Sequence, residues 1–135
     1  KLDNYSNVLH IEAQTMLDMV WKDILPAASA YTKELAETVA AKKAIGGGID
    51  TSYEERLAGH VSVLLASATK KAEALEYALM GVKDITDTLA LARYYRDTIF
   101  AAMNELRIIV DEMETHCAAK YWPYPSYGDI LFSVK

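Results

Sequence analysis

Apolar residues recur in steps of three and four along almost the whole chain, and that spacing commits it to long amphipathic helices. In a first segment, about residues 4–44, Leu9, Met16, Val20, Ile24, Tyr31, Leu35 and Val39 fall on one stripe. In a second, about 51–82, the stripe is Leu57, Val61, Leu64, Ala68, Ala72, Leu75, Leu79 and Val82, a heptad-like seam suited to packing at a shallow angle. In a third, about 85–119, Leu89, Ala92, Tyr95, Ile99, Ala102, Leu106, Ile109 and Met113 face inward. A helix of about 30 residues spans about 45 Å and is marginal by itself in water, so these stripes must bury one another.

The punctuation between the segments sets the topology. Gly46-Gly47-Gly48 cannot hold a helix, and Thr51-Ser52-Tyr53-Glu54 directly after it reads as a capping box. In such a box the Thr51 hydroxyl bonds the Glu54 amide while the Glu54 carboxylate reaches back. Gly81 is suited to end the second helix, and Asp84 or Thr86 to cap the third. Pro26 lacks a backbone donor and predicts a kink or a split of the first helix. Short connections make successive helices antiparallel. The expected fold is therefore all-α: one domain over residues 1–135, an antiparallel bundle of three long helices, or four if Pro26 splits the first. After Trp122-Pro123-Tyr124-Pro125 the chain must leave the helix, and an apolar, aromatic tail follows over 120–135.

Charge and composition exclude several classes of function. A net charge of −5 and a pI near 5.1, with Lys and Arg scattered among acids, speak against a nucleic-acid surface. A membrane span needs about 20 consecutive apolar residues, and none is present. One cysteine, Cys117, cannot form an internal disulfide, which suits a reducing, cytoplasmic setting. Lys1 is no initiator methionine and no charged-then-apolar leader follows it, so the reading is of a piece of a longer chain without a secretory signal.

The search for chemistry returns no catalytic, cofactor-binding or metal-ligating set. His10, His60 and His116 lie on different segments, and the paired Glu-x-x-His motif of di-metal bundles is missing. Glu112 and His116, with Cys117 adjoining, come nearest to a ligand set, but a zinc site needs about four ligands and an exposed i,i+4 pair is the ordinary explanation. Gly46-Gly47-Gly48 lacks the lysine and the preceding strand of a phosphate loop and reads as a linker. Arg93-Tyr94-Tyr95-Arg96 reads as core plus solvated ion pairs. The acids, Glu34, Glu37, Glu54, Glu55 and Glu112 among them, interleave with lysines as on an exposed helix face. The candidate interface is the tail, Tyr121, Trp122, Tyr124, Tyr127 and Phe132, which must either fold back across the bundle or dock on another domain or subunit.

The run Lys120-Tyr121-Trp122-Pro123-Tyr124-Pro125-Ser126-Tyr127-Gly128-Asp129-Ile130-Leu131-Phe132 resembles the C-terminal end of type III glutamine synthetases. Asn104-Glu105-Leu106-Arg107, Val110 to Glu114, Ala92 to Asp97, and Ile11-Glu12-Ala13 with Leu25-Pro26-Ala27 and Tyr31 are similar too, so the resemblance covers essentially the whole chain. It implies a parent enzyme that condenses glutamate with ammonia, using ATP and Mg or Mn, as a homo-oligomer of stacked rings. It also implies that the catalytic residues lie on a preceding β-rich domain, so none is carried onto a position here and no cofactor is expected in this chain. The partners implied are that catalytic domain and the neighbouring subunits, with no nucleic acid and no membrane. The role left for this segment is packing, subunit assembly or regulation. A free-standing helical interaction module is the other reading.

Overall fold

A computed structural model of the chain describes residues 2–125, and within them every regular element is helical. The first rod is α1 (Leu2–Met19), a π turn (Val20–Ile24) and α2 (Leu25–Ile45). The second is α3 (Ser52–Met80), tightening into a 3-10 turn (Gly81–Asp84). The third is α4 (Thr88–Tyr94), a second π turn (Tyr95–Ile99) and α5 (Phe100–His116), followed by a short 3-10 turn (Ala119–Tyr121). The expected all-α antiparallel bundle is what forms. α3 lies against both α2 and α5, while α1 lies beside α4. The rods therefore run up, down and up, with the middle one shared.

The core follows the stripes. Leu75, Ile99, Leu106, Met113, Val20 and Val61 are the largest fully buried side chains. Ala13, Ala28, Ala68 and Ala72 are also sealed from solvent, and small residues there let the helices approach closely. The spacing misplaces a few positions. Leu89 is half exposed at 49% rather than inward, and Met103 takes the buried place beside Ala102. Leu89 lies near the start of the third rod, and beyond the second π turn the expected positions Leu106 and Met113 stay fully buried, with Met103 joining them.

Pro26 neither kinks the first rod sharply enough to end it nor splits it. The π turn just before it absorbs the proline, with the Leu25 amide donating to the Val20 carbonyl across the wide turn. A proline ring clashes with the carbonyl four residues back, and an i,i+5 turn relieves that crowding. Ile24 and Leu25 are consequently both buried.

The helix caps also differ from expectation. Asp50, not Thr51, caps α3: its carboxylate accepts from the Ser52 amide at 3.0 Å and from the Ser52 hydroxyl at 2.9 Å. These two bonds, the backbone one first, hold the Asp50 carboxyl below its usual range. The Thr51 hydroxyl donates to Glu55 at 2.5 Å, and Glu54 takes Lys42 at 2.6 Å across the corner. Glu54 is buried, so it does not belong to the solvated face. A tertiary cation outcompetes the local cap. At α4 the cap is Asp87, accepting from Ala90 N at 2.9 Å, in place of Asp84 or Thr86.

Tyr94 leans over Gly81, where α3 gives way to the 3-10 turn. The Tyr94 hydroxyl donates to the Ala78 carbonyl at 2.6 Å, and a Cβ on residue 81 would lie 2.8 Å from the Tyr94 hydroxyl oxygen. The backbone of Gly81 is ordinary right-handed helix, φ −70°, which alanine adopts freely. Gly81→Ala should therefore destabilise the chain by about 1 kcal/mol, the worth of the displaced hydrogen bond. In a Tyr94→Phe background the same change should stabilise, by about 0.5 kcal/mol, through the reduced entropy of the unfolded chain. Denaturant midpoints of the four proteins check the reversal of sign; equal effects in both backgrounds refute it.

Candidate functional site

The three histidines part company. His10 on α1 sits edge-on to Tyr95, with its Nδ1 2.8 Å from the Tyr95 hydroxyl, so it satisfies a buried phenol inside the bundle. His60 on α3 and His116 at the end of α5 come together, their ring centroids 4.2 Å apart. Glu112, one turn before His116, reaches the same point, and its Oε2 lies 3.7 Å from His60 Nε2. The i,i+4 pair read from sequence thus gains a third group from another helix. No spacing rule joins position 60 to position 116; only the antiparallel register of α3 and α5 does. Cys117 points elsewhere, buried, and burial pushes its thiol up, away from nucleophilic use.

The glycine run is a turn. All three glycines have φ between 74° and 78°, which L side chains rarely adopt, and among the described residues no atom of another part of the chain lies within 4 Å of where their Cβ atoms would be. Ion pairs from Lys42 to Glu54 and Lys43 to Glu55 close the corner around it. Arg96 pairs with its neighbour Asp97 at 2.8 Å, each shifting the other toward its charged form.

The aromatic tail folds back along α2 as far as the described residues extend. Tyr121 stacks at 5.3 Å on buried Tyr31 and donates its hydroxyl to Glu34 at 2.6 Å. Trp122 packs against the core edge, and Tyr124 donates to Asp23 at 2.7 Å. Contacts at Glu34 and then at Asp23 mean the tail runs antiparallel to α2, toward the π turn. Tyr127 and Phe132, named with these residues as a candidate interface, lie outside the described residues.

Between α1 and α5 an open apolar groove of about 430 Å³ remains. Ile11, Met16, Met19 and Val20 form one wall and Met103, Leu106 and Val110 the other, with Glu12, Arg107 and Asp111 at the rim. Ile11 is 62% exposed, and Val8, Met19 and Ile108 add further exposed apolar surface on these helices. No periodicity argument finds this groove, because it lies where two stripes meet imperfectly.

Hard cations take oxygen donors, whereas the one cluster of potential ligands among the described residues is two imidazoles and a carboxylate. The glycine turn carries no lysine aimed at a phosphate. No helix of the described chain is long and apolar enough to cross a membrane.

The tail's tyrosine–carboxylate bonds make its attachment depend on pH. Tyr124 is pushed up to about 12, first by burial and then by its bond to Asp23. The folded chain thus keeps a proton that the unfolded chain, at the ordinary 10.0, would release. That contribution is whole below about pH 10 and fades as pH rises toward 12. Glu34 is held below its ordinary 4.5, first by the Tyr121 hydroxyl and then by Lys120. Its contribution is whole above 4.5 and fades as pH falls through the lower, folded value. Thermal melts across pH should lose part of the alkaline fall in Tyr124→Phe and part of the acid fall in Glu34→Gln. Unchanged limbs in both variants would show that the tail does not hold the bundle.

Residues 1–43 match the family model described as glutamine synthetase C-terminal domain. The chain is similar to a glutamine synthetase of Butyrivibrio fibrisolvens, 36% identical over 137 residues, covering 99% of this chain and 19% of that protein. A type-3 glutamine synthetase of Dictyostelium discoideum is 30% identical over 132 residues, covering 95% of this chain and 18% of that protein. A glutamine synthetase of Bacteroides fragilis is 23% identical over 143 residues, again 98% of this chain and 19% of the relative. The chain spans about a fifth of the length of the curated relatives it matches. The helical bundle described above is thus a homologue of glutamine synthetases, one of them named type-3, and its first 43 residues match the C-terminal domain of that family.

Proposed function

We propose that this chain serves as the accessory C-terminal helical domain of a type III glutamine synthetase. Its parent is a cytoplasmic, oligomeric ligase of nitrogen assimilation that joins ammonia to glutamate with ATP and Mg or Mn. The domain itself contributes packing and subunit assembly. The observation that carries this reading is the position of the apolar groove. The whole first-rod wall of the groove, from Ile11 on α1 to Ile24 in the π turn, falls inside the segment that matches the C-terminal domain family. A groove with half-bare isoleucine and methionine is suited to hold another part of a much longer protein. The relatives are about five times as long as this chain, so such a part exists in them.

The second reading, a free-standing helical interaction module, draws on the self-contained core. Size separates the two. An antibody raised against this chain should detect a native polypeptide of the relatives' length, and a native product of 15.0 kDa would establish the module instead. The purified chain should form no glutamine from glutamate, ammonia and ATP; turnover by it would overturn the accessory role.

The groove can be tested directly. Ile11→Glu places a charge on an exposed position, so the stability of the chain itself should change by less than about 0.5 kcal/mol. In the full-length parent the same substitution should shift light scattering toward smaller assemblies. An unchanged assembly mass would remove the groove from the interface.

A further inference from the structure

The geometry points to a metal site at the α3–α5 end of the bundle, in which His60, Glu112 and His116 bind one borderline divalent cation such as zinc and clamp the two helices together. The ligand atoms of all three residues lie within 4.8 Å of one another. Ligands held about 2.0–2.2 Å from a tetrahedral zinc stand roughly 3.4 Å apart, so the His60–Glu112 separation of 3.7 Å is already close to a bound geometry. A gap at the 4.8 Å limit closes by about 1.4 Å through side-chain rotation, which partly exposed residues can make.

The donor types select the ion. Two imidazole nitrogens and one carboxylate oxygen suit zinc, nickel or copper, not magnesium or calcium, which prefer oxygen alone. Three protein ligands leave one position for water or an incoming group, as in open zinc sites. The charge balance is favourable as well. Glu112 supplies one negative charge, and His116 is the last residue of α5, where the helix dipole presents its negative end.

Such a cation would act on a defined part of the fold. His60 lies near the start of α3, and immediately after His116 the chain turns through Cys117 into the segment that folds back on α2. A clamp there fixes the corner from which the tail departs. The site stands on geometry independent of the assembly role proposed above, so either can fail without the other.

The test is zinc titration of the 135-residue chain by calorimetry, with thermal melts followed by circular dichroism. One zinc should bind per chain and raise the melting temperature, and cobalt in its place should give visible absorption bands. His60→Ala, Glu112→Gln and His116→Ala should each weaken binding at least roughly tenfold, with metal-free helicity unchanged. If a histidine variant loses helicity, Glu112→Gln decides the matter, since it keeps the size of an exposed side chain. The absence of saturable binding at one equivalent, or binding undiminished in Glu112→Gln and His60→Ala, overturns the site.

Discussion

The packing of α3 between the other two rods is the constraint on which everything else depends. Each rod is amphipathic, and a helix of its length cannot hold itself together in water through backbone bonds alone. α3 supplies Val61, Ala68, Ala72 and Leu75, all fully buried, to two partners at once. Full burial of a large apolar side chain contributes about 1.5–3 kcal/mol, so a few such positions along a seam outweigh the ordering of a helical turn. The alanines matter as much as the leucines. They set how closely the rods approach, and so which surface residues of neighbouring helices can touch.

Phase along these rods is kept by the two π turns. A straight α-helix drifts relative to a seam with a seven-residue repeat, and long rods must either supercoil or insert a correction. Here Val20–Ile24 and Tyr95–Ile99 each take up one extra residue. In the first rod the correction coincides with Pro26, so one device both accommodates the proline and brings Ile24 and Leu25 together into the core. In the third it begins at Tyr95, whose hydroxyl meets His10 on the first rod. The second correction thus sits on the contact between the first and third rods, and residues of the first, Val20 and Ile24, line the groove beside it.

The rods were legible in the sequence because their signal is summed over many turns. Three stripes, their antiparallel order and the breaks at Gly46–Gly48 and Gly81 all follow from periodicity and backbone chemistry. What escaped depends on single competitions. The Thr51–Glu54 box is a sound local motif, yet Lys42, twelve residues upstream, binds Glu54 better once α2 and α3 pack. Leu89 has the right spacing, but it lies before the phase correction and near a rod's end. The recurrent aromatics of the tail signalled that it needs a partner; the tyrosine hydroxyls chose Glu34 on α2 and Asp23 in the first π turn, which no pattern of apolar residues can reveal.

The candidate sites were hidden for a related reason. His60 and His116 are separated by most of two helices, and their meeting is a property of register, not of either segment. The groove is likewise a property of a pair, since α1 and α5 approach without filling the space between them. The two features differ in what can occupy them. At the bundle end, converging nitrogen and oxygen donors suit a small cation, whereas along the side, exposed isoleucine and methionine suit an apolar surface. They lie at different places on the molecule and are built by different helix pairs, α3 with α5 and α1 with α5. The helix they share is α5. Its Leu106 and Val110 line the groove, and its Glu112 and His116 enter the ligand cluster about one turn further on. A clamp that holds α5 to α3 at that end would therefore stiffen one wall of the groove, which makes the position of α5 the physical link between the two surfaces.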